Sequence, residues 1–186
     1  QLRDQRPLSE DYLVDLQNLV ITSAIKQEQT FRNEQNWLQR GGHGALAVRY
    51  LPPPPERVSE LMDGLMRMAN AREGNVPPIV KAALVSFGFV FVHPFMDGNG
   101  RCSRLLAHHS LSYHGALPTV NGNPAILPLS VAMKRHEADY LAALESFSKP
   151  ARQLWDVTYI ADNEFILDFR SSPLVYAHWS GEIGRA

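Results

Sequence analysis

The sequence has few of the features that would assign it to a class at once. Its single cysteine, Cys102, excludes a disulfide framework. It has no run of about 18 apolar residues and no recognisable signal peptide, so neither a membrane span nor a secretory route is indicated. The formal net charge of −1 and the scattered basic residues give no general attraction to nucleic acid. We therefore expect a cytoplasmic globular protein with neither nucleic acid nor a membrane as a partner; an effector delivered elsewhere is the alternative.

The length of 186 residues suits a single domain over residues 1–186, with enough chain to bury a sizeable core. No internal repeat or low-complexity stretch is present. The chain begins with Gln1 rather than Met, so we expect it to be a fragment or a processed form of a longer chain.

One segment, residues 93–104 with the sequence HPFMDGNGRCSR, holds most of the chemistry. His93 supplies an imidazole that can act as a base near neutral pH. Asp97 supplies a carboxylate, the ligand type that Mg²⁺ prefers. The Gly-Asn-Gly turn at 98–100 can adopt positive φ and bring backbone N–H groups together. These are the components of a site that holds and cleaves a nucleoside triphosphate.

The residues on either side of this segment predict a helix–loop–helix. The Pro-Pro pair at 77–78 suits a helix start, and apolar residues then recur at helical spacing as far as Val90. Between 101 and 114 there is neither glycine nor proline, and Gly115 ends the second helix.

The start of the second helix is a predicted anion site. Its unpaired N–H groups and partial positive charge favour a phosphate. Arg101 and Arg104 lie three residues apart on this helix, so both guanidinium groups can line a phosphate chain.

The segment resembles the Fic family signature, His-x-Phe-x-Asp/Glu-Gly-Asn-Gly-Arg-x-x-Arg, at every defined position. The resemblance covers roughly residues 10–147, and the last forty residues or so are not diagnostic. It implies an all-α, mainly helical fold with a small β-hairpin, called the flap. Further similarity lies at Phe31-Arg32, Trp37, the proline-rich run 50–58, and more weakly at 129–130 and 140–141.

Fic proteins mostly transfer AMP from ATP to a hydroxyl side chain of a target protein. By that resemblance His93 would be the general base and Asp97 the ligand of Mg²⁺, so ATP and Mg²⁺ are the implied co-substrate and metal. Phe95 would point into the core. Tyr140 would line the adenine pocket, although a simply packed aromatic is the alternative. The implied phosphate ligands are the backbone of Gly98, Asn99 and Gly100 at the α-phosphate, Arg101 at the β-phosphate and Arg104 at the γ-phosphate.

The flap is predicted within residues 30–51, where the helical pattern breaks. Two short runs surround a Gly41-Gly42 turn signal, which is typical of a hairpin. In the family this element pairs with the target peptide, so we expect the protein substrate to dock here, by addition of a strand. A hairpin that only covers the core is the alternative.

The rest of the chain is predicted to be helical. Ser9 should cap a first helix, and an apolar stripe beginning at Val58 indicates another. Ser130 should cap a helix that continues to Phe147. A last amphipathic helix is expected over 153–169, within a helical C-terminal extension over 150–186.

Many Fic proteins carry an inhibitory helix with the motif Ser/Thr-x-x-x-Glu-Gly/Asn, whose Glu pairs with the second arginine of the signature. Thr30 and Glu34 have the spacing, but Gln35 follows and the segment falls in the flap. We therefore expect inhibition to come from a separate partner or from a segment preceding Gln1. The chain as given should bind a triphosphate without blocking itself.

Other functions of the same site stay open. Removal of AMP from a modified protein is one, although the inhibitory Glu that usually serves it is absent. A Doc-type kinase would have Lys in place of Gly100. A non-catalytic nucleotide-binding regulatory module is a third. Zinc binding is not indicated, because His108, His109 and His114 match no known ligand spacing.

Overall fold

The computed structural model describes residues 6–39, 41, 44–72, 74–161 and 164–170. Within these ranges the fold is mainly helical, as predicted, but it has three small antiparallel hairpins where the sequence predicts one. No helix in the described part of the chain is long and apolar enough to span a bilayer. The helices are α1 (Glu10–Val20), α2 (Pro55–Asn70), α3 (Pro78–Val92), α4 (Asn99–Tyr113), α5 (Leu129–Arg135) and α6 (Glu137–Arg152). The strands are β1 (Leu38–Gln39), β2 (Val48–Tyr50), β3 (Thr119–Val120), β4 (Asn123–Pro124), β5 (Trp155–Ala161) and β6 (Glu164–Phe169).

Helix α3 is the centre of the core, because it is apolar around most of its circumference and packs against both α2 and α4. The α2–α3 contact is close: an alanine Cβ at Gly88 would lie 2.9 Å from Cδ1 of Leu65. The largest fully buried side chains of this core are Leu13, Val58, Met62, Leu65, Val85, Phe89, Val92, Phe95 and Leu106.

Several local predictions are confirmed. The Ser9 hydroxyl accepts a hydrogen bond from the N–H of Tyr12 at 3.2 Å, which caps α1. Helix α3 begins at Pro78, and α4 ends at Tyr113 ahead of Gly115, whose φ of 66° no helix continues.

The flap hairpin is present but more open than its turn signal predicts. Strands β1 and β2 pair antiparallel through Leu38 with Tyr50 and Gln39 with Val48. A 3₁₀ turn at Ala45–Ala47 lies in the connection. The predicted turn at Gly41-Gly42 falls partly outside the described residues.

The helix expected from Ser130 to Phe147 is wrong in two respects. The hydrogen-bonded ladder already begins before Ser130, because the N–H of Ala132 donates to the carbonyl of Pro128 at 3.0 Å. His136, with φ of −113° and ψ of 40°, separates α5 from α6. Helix α6 then continues through Pro150, since a proline in a last turn removes only one hydrogen bond.

The helix predicted over 153–169, and with it the helical extension as far as residue 170, is also wrong. This segment forms the hairpin of β5 and β6. Burial alternates along β6: Phe165, Leu167 and Phe169 are half-buried, whereas Ile166 and Asp168 between them are exposed, which is a strand period. These side chains pack with Trp155 against Val48 and Leu51, so tertiary burial favours the hairpin. Residues 171–186 of the predicted extension lie outside the described residues.

The packing of the β5–β6 hairpin can be tested by measuring the free energy of unfolding of two variants. Trp155 is 4% exposed and its ring packs against Phe169, so Trp155→Ala should lower the free energy of unfolding by about 3–5 kcal/mol. Ile160 lies on the same strand but is 50% exposed, and Ile160→Ala should change it by about 0.5 kcal/mol or less. Urea unfolding followed by circular dichroism measures both. Equal losses for the two variants would contradict the packing described.

Candidate active site

His93 lies where α3 ends, in the left-handed region with φ of 52° and ψ of 57°. Its Nδ1 is 2.9 Å from the carbonyl oxygen of Val90. A carbonyl can only accept, so Nδ1 carries the hydrogen and Nε2 keeps a lone pair. Burial lowers the pKa of His93 to about 4, against the opposing effect of the Val90 bond. The imidazole is therefore neutral at pH 7 and able to accept a proton at Nε2.

A buried guanidinium holds the backbone at His93 in place. Nε of Arg32 donates to the carbonyl of His93 at 2.8 Å, and Nη2 contacts the carbonyls of Val92 at 3.4 Å and Pro53 at 2.6 Å. Nη1 donates to the carbonyl of Glu34 at 2.9 Å. Burial lowers the pKa of Arg32 to about 10, so the side chain is still cationic at neutral pH. The resemblance pointed to Arg32 but assigned it no role.

The loop between His93 and α4 is fixed from inside. The Asn99 side chain is 2% exposed; its Oδ1 accepts from the N–H of Phe95 at 3.0 Å and its Nδ2 donates to the carbonyl of Phe95 at 2.7 Å. The Phe95 ring is fully buried, as predicted, with its centroid 5.7 Å from that of Phe31 and 6.1 Å from that of Phe89. Because the side chain of Asn99 points inward, only its backbone is left for a ligand.

The N-terminus of α4 has the geometry of an anion site. Gly98 precedes the helix with φ of 87°, and its carbonyl accepts from the N–H groups of Arg101 and Cys102 at 3.0 Å. The first N–H groups of the helix, at Asn99 and Gly100, have no acceptor within it. A side chain at residue 98 would be strained by this φ and would come within 3.2 Å of Cδ1 of Ile21.

The two arginines of the segment lie beside this N-terminus. The Arg101 side chain is 46% exposed; its Nη1 donates to the carbonyl of Val20, and its Nη2 lies 3.7 Å from Oδ1 of Asp97. Arg104 is half-buried, and its Nη1 lies 3.6 Å from the place that a Cβ of Gly100 would occupy. Both guanidinium groups therefore lie beside the first turn of α4.

Asp97 is occupied on both carboxylate oxygens. Oδ1 accepts from the N–H of Gly98 at 2.6 Å, and Oδ2 accepts from Nζ of Lys26 at 2.9 Å. The Lys26 hydrogen bond is the main reason why the pKa of Asp97 lies below its ordinary value. Asp97 is therefore ionised at neutral pH. Lys26 did not stand out in the sequence, because the contact joins residues 71 positions apart.

The donor set fits Mg²⁺ of the kind that resides on a nucleotide. Within the described ranges no group of three or more His, Cys, Asp or Glu residues could enclose a metal. Mg²⁺ at phosphate-transfer sites is usually held by one or two carboxylates together with substrate phosphates and water. A half-exposed, ionised Asp97 next to the anion site matches that arrangement.

Three other histidines, in α4 and at its C-terminal end, contact backbone carbonyls of neighbouring segments. Nε2 of His108, His109 and His114 lies 2.9, 2.9 and 3.0 Å from the carbonyls of Leu127, Arg6 and Ala69 respectively. Each of these contacts ties a neighbouring segment to α4.

Tyr140 lies in the wall of a cavity of about 290 Å³ between α3, α4 and α6. The lining is mostly apolar and includes Phe87, Leu111 and Leu144. The cavity adjoins the site through Ser103, whose hydroxyl donates to the carbonyl of Gly100 at 3.0 Å.

The comparisons with known proteins agree with this architecture. The model of the Fic/DOC family matches residues 7–111, and the chain belongs to this family. It is 36% identical over 91 residues to proteins named Protein adenylyltransferase Fic from Drosophila mojavensis and Drosophila melanogaster. That match covers 48% of this chain but only 16% and 17% of the two relatives.

Two solved structures share the fold. A Fic-domain-containing signalling protein from Bacteroides thetaiotaomicron superposes with a TM-score of 0.60 at 25% identity, over 81% of this chain and 52% of that one. A Fic family protein from Desulfovibrio desulfuricans superposes with a TM-score of 0.56 at 22% identity, over 81% of this chain and 41% of that one.

The state of the His93 ring is directly measurable. In ¹H–¹⁵N spectra of the imidazole, we expect a titration midpoint near pH 4 and the Nδ1–H tautomer, because burial disfavours the charged ring. The pKa is lower in the folded than in the unfolded chain, so stability should fall as the pH drops from 6.5 towards 4. His93→Gln identifies the signal and should weaken that fall. A midpoint near 6.5 would contradict the assignment.

Proposed function

We propose that this domain is a protein adenylyltransferase that transfers AMP from ATP to a Tyr, Ser or Thr hydroxyl of a target protein. The observation that carries the proposal is the joint placement of a neutral imidazole with a free Nε2 and a helix N-terminus flanked by two guanidinium groups. The name of the Drosophila relatives supports the same reaction for the matched region.

The phosphate chain would lie along the first turn of α4. The N–H groups of Asn99 and Gly100 face the α-phosphate, where preorganised donors stabilise the charge that develops during transfer. Arg101 and Arg104 extend the positive charge towards the β- and γ-phosphates. Mg²⁺, held by Asp97, would neutralise phosphate charge and help the pyrophosphate to leave.

His93 would accept the proton of the attacking hydroxyl. The hydroxyl oxygen forms a bond to the α-phosphorus, the bond from that phosphorus to the β-phosphate oxygen breaks, and pyrophosphate leaves. The proton moves to Nε2, which the Val90 contact at Nδ1 leaves unprotonated. A bound triphosphate adds negative charge nearby, so it should raise the imidazole pKa from about 4 towards the working pH.

The remaining parts would position the two substrates. The base of the nucleotide would occupy the cavity beside Tyr140. The target would add a strand to the flap of β1 and β2, so that backbone hydrogen bonds place its hydroxyl before His93. The same guanidinium of Arg32 contacts residues before and after the flap and at His93, which keeps the two in register.

ATP labelled separately at the α- and γ-phosphates tests the reaction. With cell lysate as the source of targets, label should enter protein from the α position only. Label from the γ position would indicate a kinase, and tight binding without transfer would indicate a regulatory module. Release of AMP from a target that already carries it would instead support the reverse reaction.

His93→Ala should reduce the transfer rate by about 10²–10⁴-fold and leave ATP affinity nearly unchanged, because the base acts on the hydroxyl and not on the nucleotide. His136, a histidine with a 74% exposed side chain between α5 and α6, provides the matched control His136→Ala, which should transfer normally. Loss of nucleotide binding in the His93 variant would contradict the role as base.

Substitution of Arg101 and substitution of Arg104 should affect the binding of ATP and ADP differently. Arg104→Met should weaken ATP binding about tenfold or more and leave ADP binding nearly unchanged, because its partner is the γ-phosphate. Arg101→Met should weaken both, since the β-phosphate is present in each. Isothermal titration calorimetry with ATP and ADP measures the four affinities. Equal losses for ATP and ADP in the Arg104 variant would reverse its assignment.

A further inference from the structure

The Lys26 ammonium is bonded to the carboxylate oxygen of Asp97 that Gly98 leaves open. Nζ of Lys26 is 2.9 Å from Oδ2, while Oδ1 is already bonded to the N–H of Gly98 at 2.6 Å. No carboxylate oxygen of Asp97 is thus without a donor. A cation that binds this carboxylate at Oδ2 has to displace the ammonium first.

The backbone at Lys26 is seated against the signature loop by a buried amide. Gln17 in α1 is 0% exposed, and its Nε2 donates both to the carbonyl of Lys26 at 3.1 Å and to the carbonyl of Asp97 at 3.3 Å. One amide group therefore holds together the main chain of the two residues whose side chains form the ion pair.

Two further contacts fix the segment that carries Lys26. The backbone of Glu28 is bonded to the Asn18 side chain in both directions at 2.9 Å. The carboxylate of Glu28 accepts from the N–H of Met96, the residue before Asp97, at 3.1 Å. The backbone around Lys26 is thus anchored, whereas its side chain is 60% exposed and can rotate into solvent without losing a buried contact.

We propose that Lys26 competes with a divalent cation for Asp97, so that the site takes up its metal only by displacing this ammonium. The inference rests on the proposed function, which makes Asp97 the metal ligand. Lys26 neutralises the carboxylate while no metal is bound and repels a cation that approaches it. Both effects raise the metal concentration needed to fill the site, and both vanish when the charge of residue 26 is removed.

The test measures metal affinity without nucleotide or target, so that Asp97 and water are the ligands and the resulting weak affinity reports on the carboxylate alone. Mn²⁺, a paramagnetic stand-in for Mg²⁺, broadens the backbone amide signals of Asp97 and Gly98 as it binds. Lys26→Met should lower the dissociation constant by about two- to fivefold, a size set by the modest strength of exposed ion pairs. Lys26→Glu should lower it further, because the metal then gains a second carboxylate.

Two control variants make the outcome specific. Lys134 forms an exposed ion pair with Glu137, with Nζ 2.6 Å from Oε2, and Lys134→Met should leave the Mn²⁺ affinity unchanged. Asp97→Asn should abolish the broadening in both the wild-type and the Lys26→Met background. Mn²⁺ binding that survives Asp97→Asn would defeat the metal assignment of the proposed function.

Loss of binding in Asp97→Asn together with an unchanged or weaker affinity in Lys26→Met would overturn only the competition. The same holds if Lys26→Met leaves Mn²⁺ affinity unchanged but weakens ATP binding, because Lys26 would then be a phosphate ligand. A circular dichroism spectrum identical to wild type is required of each variant before its affinity is interpreted.

Discussion

The position of His93 relative to the flap depends on one buried charge, the guanidinium of Arg32. This group is bonded to four backbone carbonyls. Removing a charge from water is unfavourable by several kcal/mol unless its donors are satisfied, and here carbonyl oxygens take that role. These carbonyls belong to residues 34 and 53 on either side of the flap and to 92 and 93 at the end of α3. The left-handed backbone of His93, unusual for a side chain with a Cβ, is held by this contact together with the capping bond to Phe89.

Inward and outward groups of the signature segment have separate tasks. Asn99 and Phe95 face the core and fix the path of the loop, and Gln17 supports the loop from α1. The groups that do not fix the loop are N–H donors, two arginines, a carboxylate and the Nε2 lone pair of His93. The side chains that define the shape are therefore not the ones that would meet the substrates, which is how a short loop can be both rigid and reactive.

Local signals in the sequence were sufficient for the helix–loop–helix around residues 93–104, for the starts of α1 and α3 and for the end of α4, because caps, prolines and glycines act within a few residues. Longer-range contacts were not accessible in this way. Nothing local marks Arg32 as buried or places Lys26 beside Asp97. The spacing of Trp155, Ile160 and Phe165 predicts a helix, whereas Phe165, Leu167 and Phe169 recur at every second position, as in a strand. That segment acquires its partner surface only in the folded molecule, on Val48 and Leu51.

The hairpin of β5 and β6 also determines how much of the chain is needed to keep the flap packed. Trp37, directly before β1, packs edge-on against the ring of Phe165, with the two centroids 5.5 Å apart. Trp155 packs with β2 and Leu51. The flap therefore packs against residues far beyond position 111, where the family match stops. A polypeptide trimmed at that boundary would keep every signature residue and yet lose the hairpin that packs against the flap, which would expose Val48 and Leu51 to water.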